Sequence, residues 1–256
     1  MSNPLLALFS AAALLTGTPK DGESWLRESE SRLYSWPEPG VVVSFHVRTD
    51  AIQQMIDALK KQLPPDPTPD MLKSIDALRR IEITGTVDTA TGKTTTRIDL
   101  TIDANDPKRK EGVEKLKNGI DSMVAKFFDS LPLHDPGIAK DKKVLEASES
   151  GSTLTVKLSG KTPDEETTLR LDKNRMLPET FDQATRSMKV RYIEVLPGRF
   201  APARLDMQTP DSQKSSATFT YQRVGDLVFP SKVTVTQGAS TTKLDFLSVR
   251  AEKAGP

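Results

Sequence analysis

Two carboxylate groupings, two histidines and one basic cluster are the side chains whose types and spacing could do chemistry in this 256-residue chain. Asp99 and Asp103 fall in an alternating segment, so a strand would place both on one face, as acid–base work between paired carboxylates requires. Glu165 and Glu166 directly follow Asp164. With 35 Asp and Glu in the chain such pairs arise from composition alone, and they read as solvated charge. His134-Asp135 lies in a loop between prolines and glycine. Two histidines and no cysteine fall short of a zinc ligand set, so this too reads as a loop. His46 lies on the polar face of a strand, exposed or hydrogen-bonded. Lys108-Arg109-Lys110 solvates the start of a helix, with anionic headgroups as its alternative contact.

The familiar reactive motifs are missing. No GxSxG elbow, HExxH, GxxxxGK[ST] or GxGxxG occurs, and the lack of cysteine removes thiol nucleophiles, disulfides and cysteine lipid anchors together. The reading is a chain that is not an enzyme, with no cofactor and no metal. Its 36 Lys and Arg nearly cancel its acidic residues, which leaves no basic stripe for a phosphate backbone and excludes nucleic acid as a partner.

The elements that position these groups begin with an export signal. Leu5 to Leu15 is an apolar run too short to span a bilayer and followed by small and polar residues, so residues 1–18 read as a cleaved signal peptide and the mature protein as periplasmic. No later run predicts an integral membrane span. The remainder, 19–256, reads as a single β-rich domain with helices near 21–36, 50–63, 68–79 and 106–131. Pro37 ends the first; Asp50 with Gln53 forms a capping box for the second; Thr68-Pro69 opens the third and Asp106-Pro107 the fourth. The fourth is about 36 Å long and bears an apolar stripe, enough to cross a sheet. Val41 to Arg48 alternates as a strand with Val43, Phe45 and Val47 on one face, and Arg80 to Val87 with Thr95 to Asp103 form a hairpin. After Pro132 only short β runs and polar turns follow, which implies antiparallel order.

One local pattern occurs three times in the last third. Met176-Leu177-Pro178, Phe200-Ala201-Pro202 and Val228-Phe229-Pro230 each place an apolar pair before proline, and the residue three past the proline is apolar again: Phe181, Leu205 and Val233. Proline cannot donate to a ladder, so each copy is expected to start a strand.

The stretch Tyr221-Gln222-Arg223-Val224-Gly225-Asp226-Leu227-Val228-Phe229-Pro230-Ser231-Lys232-Val233, followed by Lys243-Leu244-Asp245-Phe246-Leu247-Ser248-Val249, resembles the C-terminal hairpins of the LolA-like outer-membrane lipoprotein carrier and sorting superfamily. Leu169-Arg170-Leu171-Asp172 to Leu177-Pro178-Glu179 is similar to a turn of the same family. The resemblance implies an α+β fold: an antiparallel meandering sheet forming an open, unclosed β-barrel with helices packed over its concave face. It implies a periplasmic carrier that binds lipid or lipoprotein acyl chains without catalysis, as a monomer. The expected apolar lining comprises Ile98, Leu100, Leu154, Val156 and Leu205 from strands, with Ile120, Val124 and Phe127 from the long helix. The family's lid-gating arginine is not assigned to any arginine here. The alternative is a scaffold or sensor of the same fold that binds another envelope protein; it predicts a filled interior.

Overall fold

The computed structural model describes residues 15–37, 40–99, 107–130, 133, 137–210 and 214–253. Their strands are β1 (Leu15–Gly17), β2 (Val41–Thr49), β3 (Glu82–Asp88), β4 (Thr94–Asp99), β5 (Val144–Ser150), β6 (Thr153–Leu158), β7 (Thr167–Asp172), β8 (Leu177–Gln183), β9 (Arg186–Leu196), β10 (Arg199–Gln208), β11 (Lys214–Val224), β12 (Leu227–Gln237) and β13 (Ser240–Lys253). The helices are α1 (Pro19–Arg32), α2 (Asp50–Lys61), α3 (Pro69–Leu78) and α4 (Pro107–Ser130).

All thirteen strands form one antiparallel sheet in the order β1-β5-β6-β7-β8-β9-β10-β11-β12-β13-β2-β3-β4. From β5 to β13 it is a meander of hairpins; β2 then joins beside β13, with β3 and β4 beyond it. Among the described residues β1 pairs with β5 and β4 with β3, so the two edges do not meet and the barrel is unclosed. The fold is α+β, an open meandering sheet with helices.

The three proline copies have a shared structural role that differs in part from the expectation. Pro178 does stand at the second residue of β8, but Pro202 and Pro230 lie inside β10 and β12, and all three are buried. In each copy the ladder skips the residue after the proline. Thr180 pairs with Arg170 and Pro178 with Leu171, leaving out Glu179; Arg204 and Pro202 leave out Ala203; Lys232 and Pro230 leave out Ser231. These are β-bulges, which accept a residue without an N–H and sharpen the local twist of the strand. Placed on alternate strands β8, β10 and β12, they bend the sheet at regular intervals. The repeat is therefore a curvature device.

Helix α1 begins where Asp21 accepts hydrogen bonds from the Thr18 backbone N–H at 2.7 Å and from its hydroxyl at 2.9 Å. It ends at Arg32, short of the expected Trp36, because the next residues find better partners elsewhere. Leu33 is extended, the Tyr34 N–H donates to Phe200 O (2.8 Å) and the Trp36 N–H to Leu133 O (2.7 Å). The second helix is capped by Thr49, whose hydroxyl accepts from the Ala51 N–H; Asp50 instead accepts from the Lys243 N–H of β13 at 2.7 Å. Thr68 caps α3 through the Met71 N–H. The α2–α3 pair closes on itself through Ile56, Ile75 and Leu78.

Two larger cores lie against the sheet. One, under α4, joins that helix to β2, β3, β11, β12 and β13. The other, under α1, is formed with β6 and β7 from Leu26, Leu154, Val156, Leu158, Leu169, Leu171 and Met176. Gly22 permits that contact, since a Cβ there would lie 2.8 Å from Val144 Cγ1 on β5. Residues 1–14 of the expected signal peptide lie outside the described residues; Leu15–Gly17 forms edge strand β1 opposite Glu149, Ser148 and Ala147.

Candidate functional site

The apolar interior under α4 is the candidate site, and it is built from aromatic rings. Six of the nine phenylalanines of the chain meet there, with Trp36. Phe45 lies 5.5 Å from Phe128, 5.7 Å from Phe229 and 5.4 Å from Phe246, centroid to centroid. Phe127 stacks on Phe246 at 5.3 Å and meets Phe219 at 6.2 Å. Trp36 stacks on Phe229 at 6.2 Å. Such offset and edge-to-face pairs contribute about 0.5–1.5 kcal/mol each beyond the area they bury.

Each ring arrives by a local rule. Phe45 is on the inward face of the alternating strand β2, between the buried Val43 and Val47. Opposite it, Gly85 of β3 gives the ring its space, because a Cβ there would be 2.5 Å from Phe45 Cε2. Phe229 belongs to the third proline copy, beside the bulge. Phe127 and Phe128 sit on the buried stripe of α4 with Ile120 and Val124. That helix is tied to the sheet edge where the Thr96 hydroxyl of β4 donates to the Asp121 carboxylate.

The segment after α1 closes the interior from the other side. Strand β13 pairs with β12 only from Lys232 to Gln237, which leaves Val228 beyond that ladder. Both of its backbone groups are met by side chains: the Val228 N–H donates to the Tyr34 hydroxyl (2.8 Å), and Trp36 Nε1 donates to Val228 O (3.2 Å). Buried backbone groups need such partners, so the segment is held by necessity as well as by packing. Burial raises the Tyr34 phenol above its ordinary pKa, which keeps it neutral.

The expected lining residues divide between regions. Ile120, Val124 and Phe127 are buried under α4, and Ile98 and Leu205 pack half-exposed at the margin of the same core. Leu154 and Val156 belong to the separate core under α1. Leu100 lies outside the described residues. Tyr34, Trp36, Phe45, Phe128, Phe229 and Phe246 were not among the expected lining, although aromatic residues on the inward side of Val41 to Arg48 and in the Val-Phe-Pro copy were a usable signal.

The groups that could do chemistry are elsewhere. Asp99 is an exposed partner of Arg97 (3.0 Å), and Glu166 pairs with Lys157 at 2.7 Å. Glu165 accepts from the Lys161 N–H, and His46 is exposed on the outer face. Asp103, His134 and Asp135 lie outside the described residues. No group of three or more metal-ligating side chains is present among the described residues. Nor is any helix among them long and apolar enough to cross a membrane.

Among the described residues, two depressions on the outer face are lined mainly by Ser, Thr and charged residues. A cleft of about 820 Å³ crosses β9 to β12, where Arg204 grips Asp206 through Nε (2.9 Å) and a second nitrogen (2.7 Å). That grip holds the Asp206 carboxyl below its ordinary pKa. A groove of about 450 Å³ crosses β13, β2, β3 and β4.

No protein-family model matches the chain, and no curated protein matches it. Two solved structures are similar to it over most of their length. One is a LolA superfamily protein from Nitrosomonas europaea, with 8% identity, 91% of this chain and 94% of that chain covered, and a TM-score of 0.28. The other is a domain named for outer membrane lipoprotein sorting, from Vibrio parahaemolyticus, with 9% identity, 93% and 95% covered, and a TM-score of 0.30.

Proposed function

We propose that the protein is an exported, periplasmic carrier of lipid or lipoprotein acyl chains, acting as a monomer and without catalysis. The observation that supports this reading best is the interior of the unclosed sheet, which is apolar and aromatic and packed under helix α4. In the state described here, Phe127, Phe128, Ile120 and Val124 occupy the volume an acyl chain would take. Swinging α4 off the sheet would free it.

The magnitudes make such an exchange balanced. Four buried apolar side chains contribute about 1.5–3 kcal/mol each, or about 6–12 kcal/mol for the helix face. A chain with about a dozen buried methylenes brings about 10 kcal/mol at about 0.8 kcal/mol per CH₂. Of the expected lining residues, Ile98 and Leu205 at the margin of this volume and Leu154 and Val156 under α1 remain part of the proposal, as does Leu100, which lies outside the described residues.

The test uses the cysteine-free chain. In a Thr96→Cys, Asp121→Cys variant a short bismaleimide links β4 to α4. Palmitate should raise the Tm of the unlinked protein and leave the linked protein unchanged, and native mass spectrometry of protein from its own periplasm should show bound lipid. No lipid in the spectrum together with no shift in either form would defeat the carrier reading.

A second reading has its own observation. The contacting rings under α4 stand 4.9–6.4 Å apart, centroid to centroid, which supports a filled interior. This favours a scaffold or sensor that binds another envelope protein through its surface, and it predicts the negative outcome of both lipid measurements.

A further inference from the structure

We propose that the outer-face groove across β13, β2, β3 and β4 is a binding site for a phosphate-type oxyanion. Register aligns its donors in two rows on one face. Arg250 pairs with Ser44, Ser44 with Thr86, and Thr86 with Thr95, which carries a guanidinium and three hydroxyls across four strands. The next row is His46, Thr84 and Arg97. Strands about 4.8 Å apart and rows about 7 Å apart give a footprint of about 7 by 14 Å, the size of a phosphoryl group and a small substituent. The volume of about 450 Å³ suits that ligand class.

The charges are matched to an anion. Two guanidiniums and an imidazole line the groove and no carboxylate does. Arg97 is paired with Asp99, so the guanidinium left for a ligand is that of Arg250; Asp88 accepts from the Ala90 N–H and the Thr91 hydroxyl, Asp245 is paired with Arg48, and Glu252 stands one row further along β13, opposite Val42. No ion pair of Arg250 occurs among the described residues. In the larger cleft over β9 to β12 the guanidinium of Arg204 is paired with Asp206 as Arg97 is with Asp99, so Arg250 is what sets the groove apart.

The backbone adds a second observation. Between Leu247 and Arg250 the pairing with β2 skips Ser248 and Val249, and Ser248 adopts φ 51°, a left-handed conformation that a non-glycine residue seldom takes. The irregularity places Ser248 in the groove wall and sets Arg250 opposite Ser44. Strain of this kind is commonly kept where a ligand is held.

The experiment titrates full-length protein with inorganic phosphate, and separately with vesicles of phosphatidylglycerol or of phosphatidylcholine, following the amide resonances of Ser44, Thr86 and Arg250. Saturable shifts at these amides support the site. Shifts with free phosphate identify a soluble source, and shifts only with vesicles identify a lipid headgroup. Arg250→Gln should weaken binding about tenfold through loss of a charge-assisted bidentate contact, with an unchanged Tm, while Arg204→Gln should not weaken it. No saturable shift with any probe, or the same loss in both variants, would overturn the proposal.

Discussion

The core under α4 and the core under α1 stand on the same sheet, yet they are built differently. Under α1, Leu154, Val156, Leu158, Leu169 and Leu171 alternate inward along adjacent hairpin strands, and the helix adds Leu26 from above. These are neighbours in the meander, and their order follows the chain. Under α4 the contributors are distant in sequence: Trp36, Phe45, Phe128, Phe229 and Phe246. Aliphatic contacts between successive hairpins stabilise a wall, whereas rings gathered from five segments fill a space. The first arrangement has no reason to open. The second is covered by α4 and by the extended segment after α1, and it is the part of the molecule whose occupancy would change under the proposed function.

Replacing a central ring should have the largest effect. Phe229→Ala should cost about 3–5 kcal/mol, read as a lower midpoint in urea, because Trp36, Phe45, Phe128 and Phe246 would all lose a neighbour. Val156→Ala in the α1 core should cost about 2 kcal/mol, the transfer of two methyl groups plus a small cavity. An equal or larger loss there would break the distinction between the two cores.

The extended segment offers a finer probe. Tyr34→Phe leaves the Val228 N–H buried without its acceptor and should cost about 1–3 kcal/mol. Hydrogen exchange should then quicken at Val228 while the amides of β6 and β7 keep their protection. Uniform loosening of both cores would mean that they unfold as one unit.

The smallest effect is expected on the outer face. The hydrogen bond from Arg204 depresses the Asp206 pKa, so the stability it contributes is present above the ordinary carboxylate range, near about 3.9, and is lost as pH falls through the lower folded value. Asp206→Asn should cost about 0.2–1 kcal/mol at neutral pH, and the gap from the natural protein should close in acid. A gap that persists at low pH would show that Asp206 acts through packing instead.

The legibility of the sheet was high where a face repeats every second residue. Val43, Phe45 and Val47 are buried as the alternation implied, and the expected helices at 50–63, 68–79 and 106–131 correspond to α2, α3 and α4 within a few residues. The α1 boundary was less legible because Leu33 and Trp36 fit a helical stripe equally well. Hydrogen bonds to Phe200 and Leu133, far along the chain, draw them into an extended path. The proline copies were visible as a repeat, but their role was not. A bulge is defined by which partner residue is skipped, and the partner lies on another strand.

The assignment of a lining was the least legible part. Leu154 and Val156 have the same alternation as strand residues elsewhere, and alternation specifies a face without naming what covers it. The same limit hid the groove beside Arg250, whose Ser and Thr neighbours come from three other strands.

The amino-acid sequence by itself determined the short-range features: the helix start at Thr68-Pro69, alternating strands, polar turns, and proline with its missing donor. These depend on backbone sterics and on hydrogen bonds within a few residues. Only the tertiary structure decided that β2 lies beside β13, that Tyr34 and Trp36 complete the backbone of Val228, and that six phenylalanines share one interior. Those outcomes turn on register and burial between distant segments, where one residue of slip would carry every side chain to the opposite face.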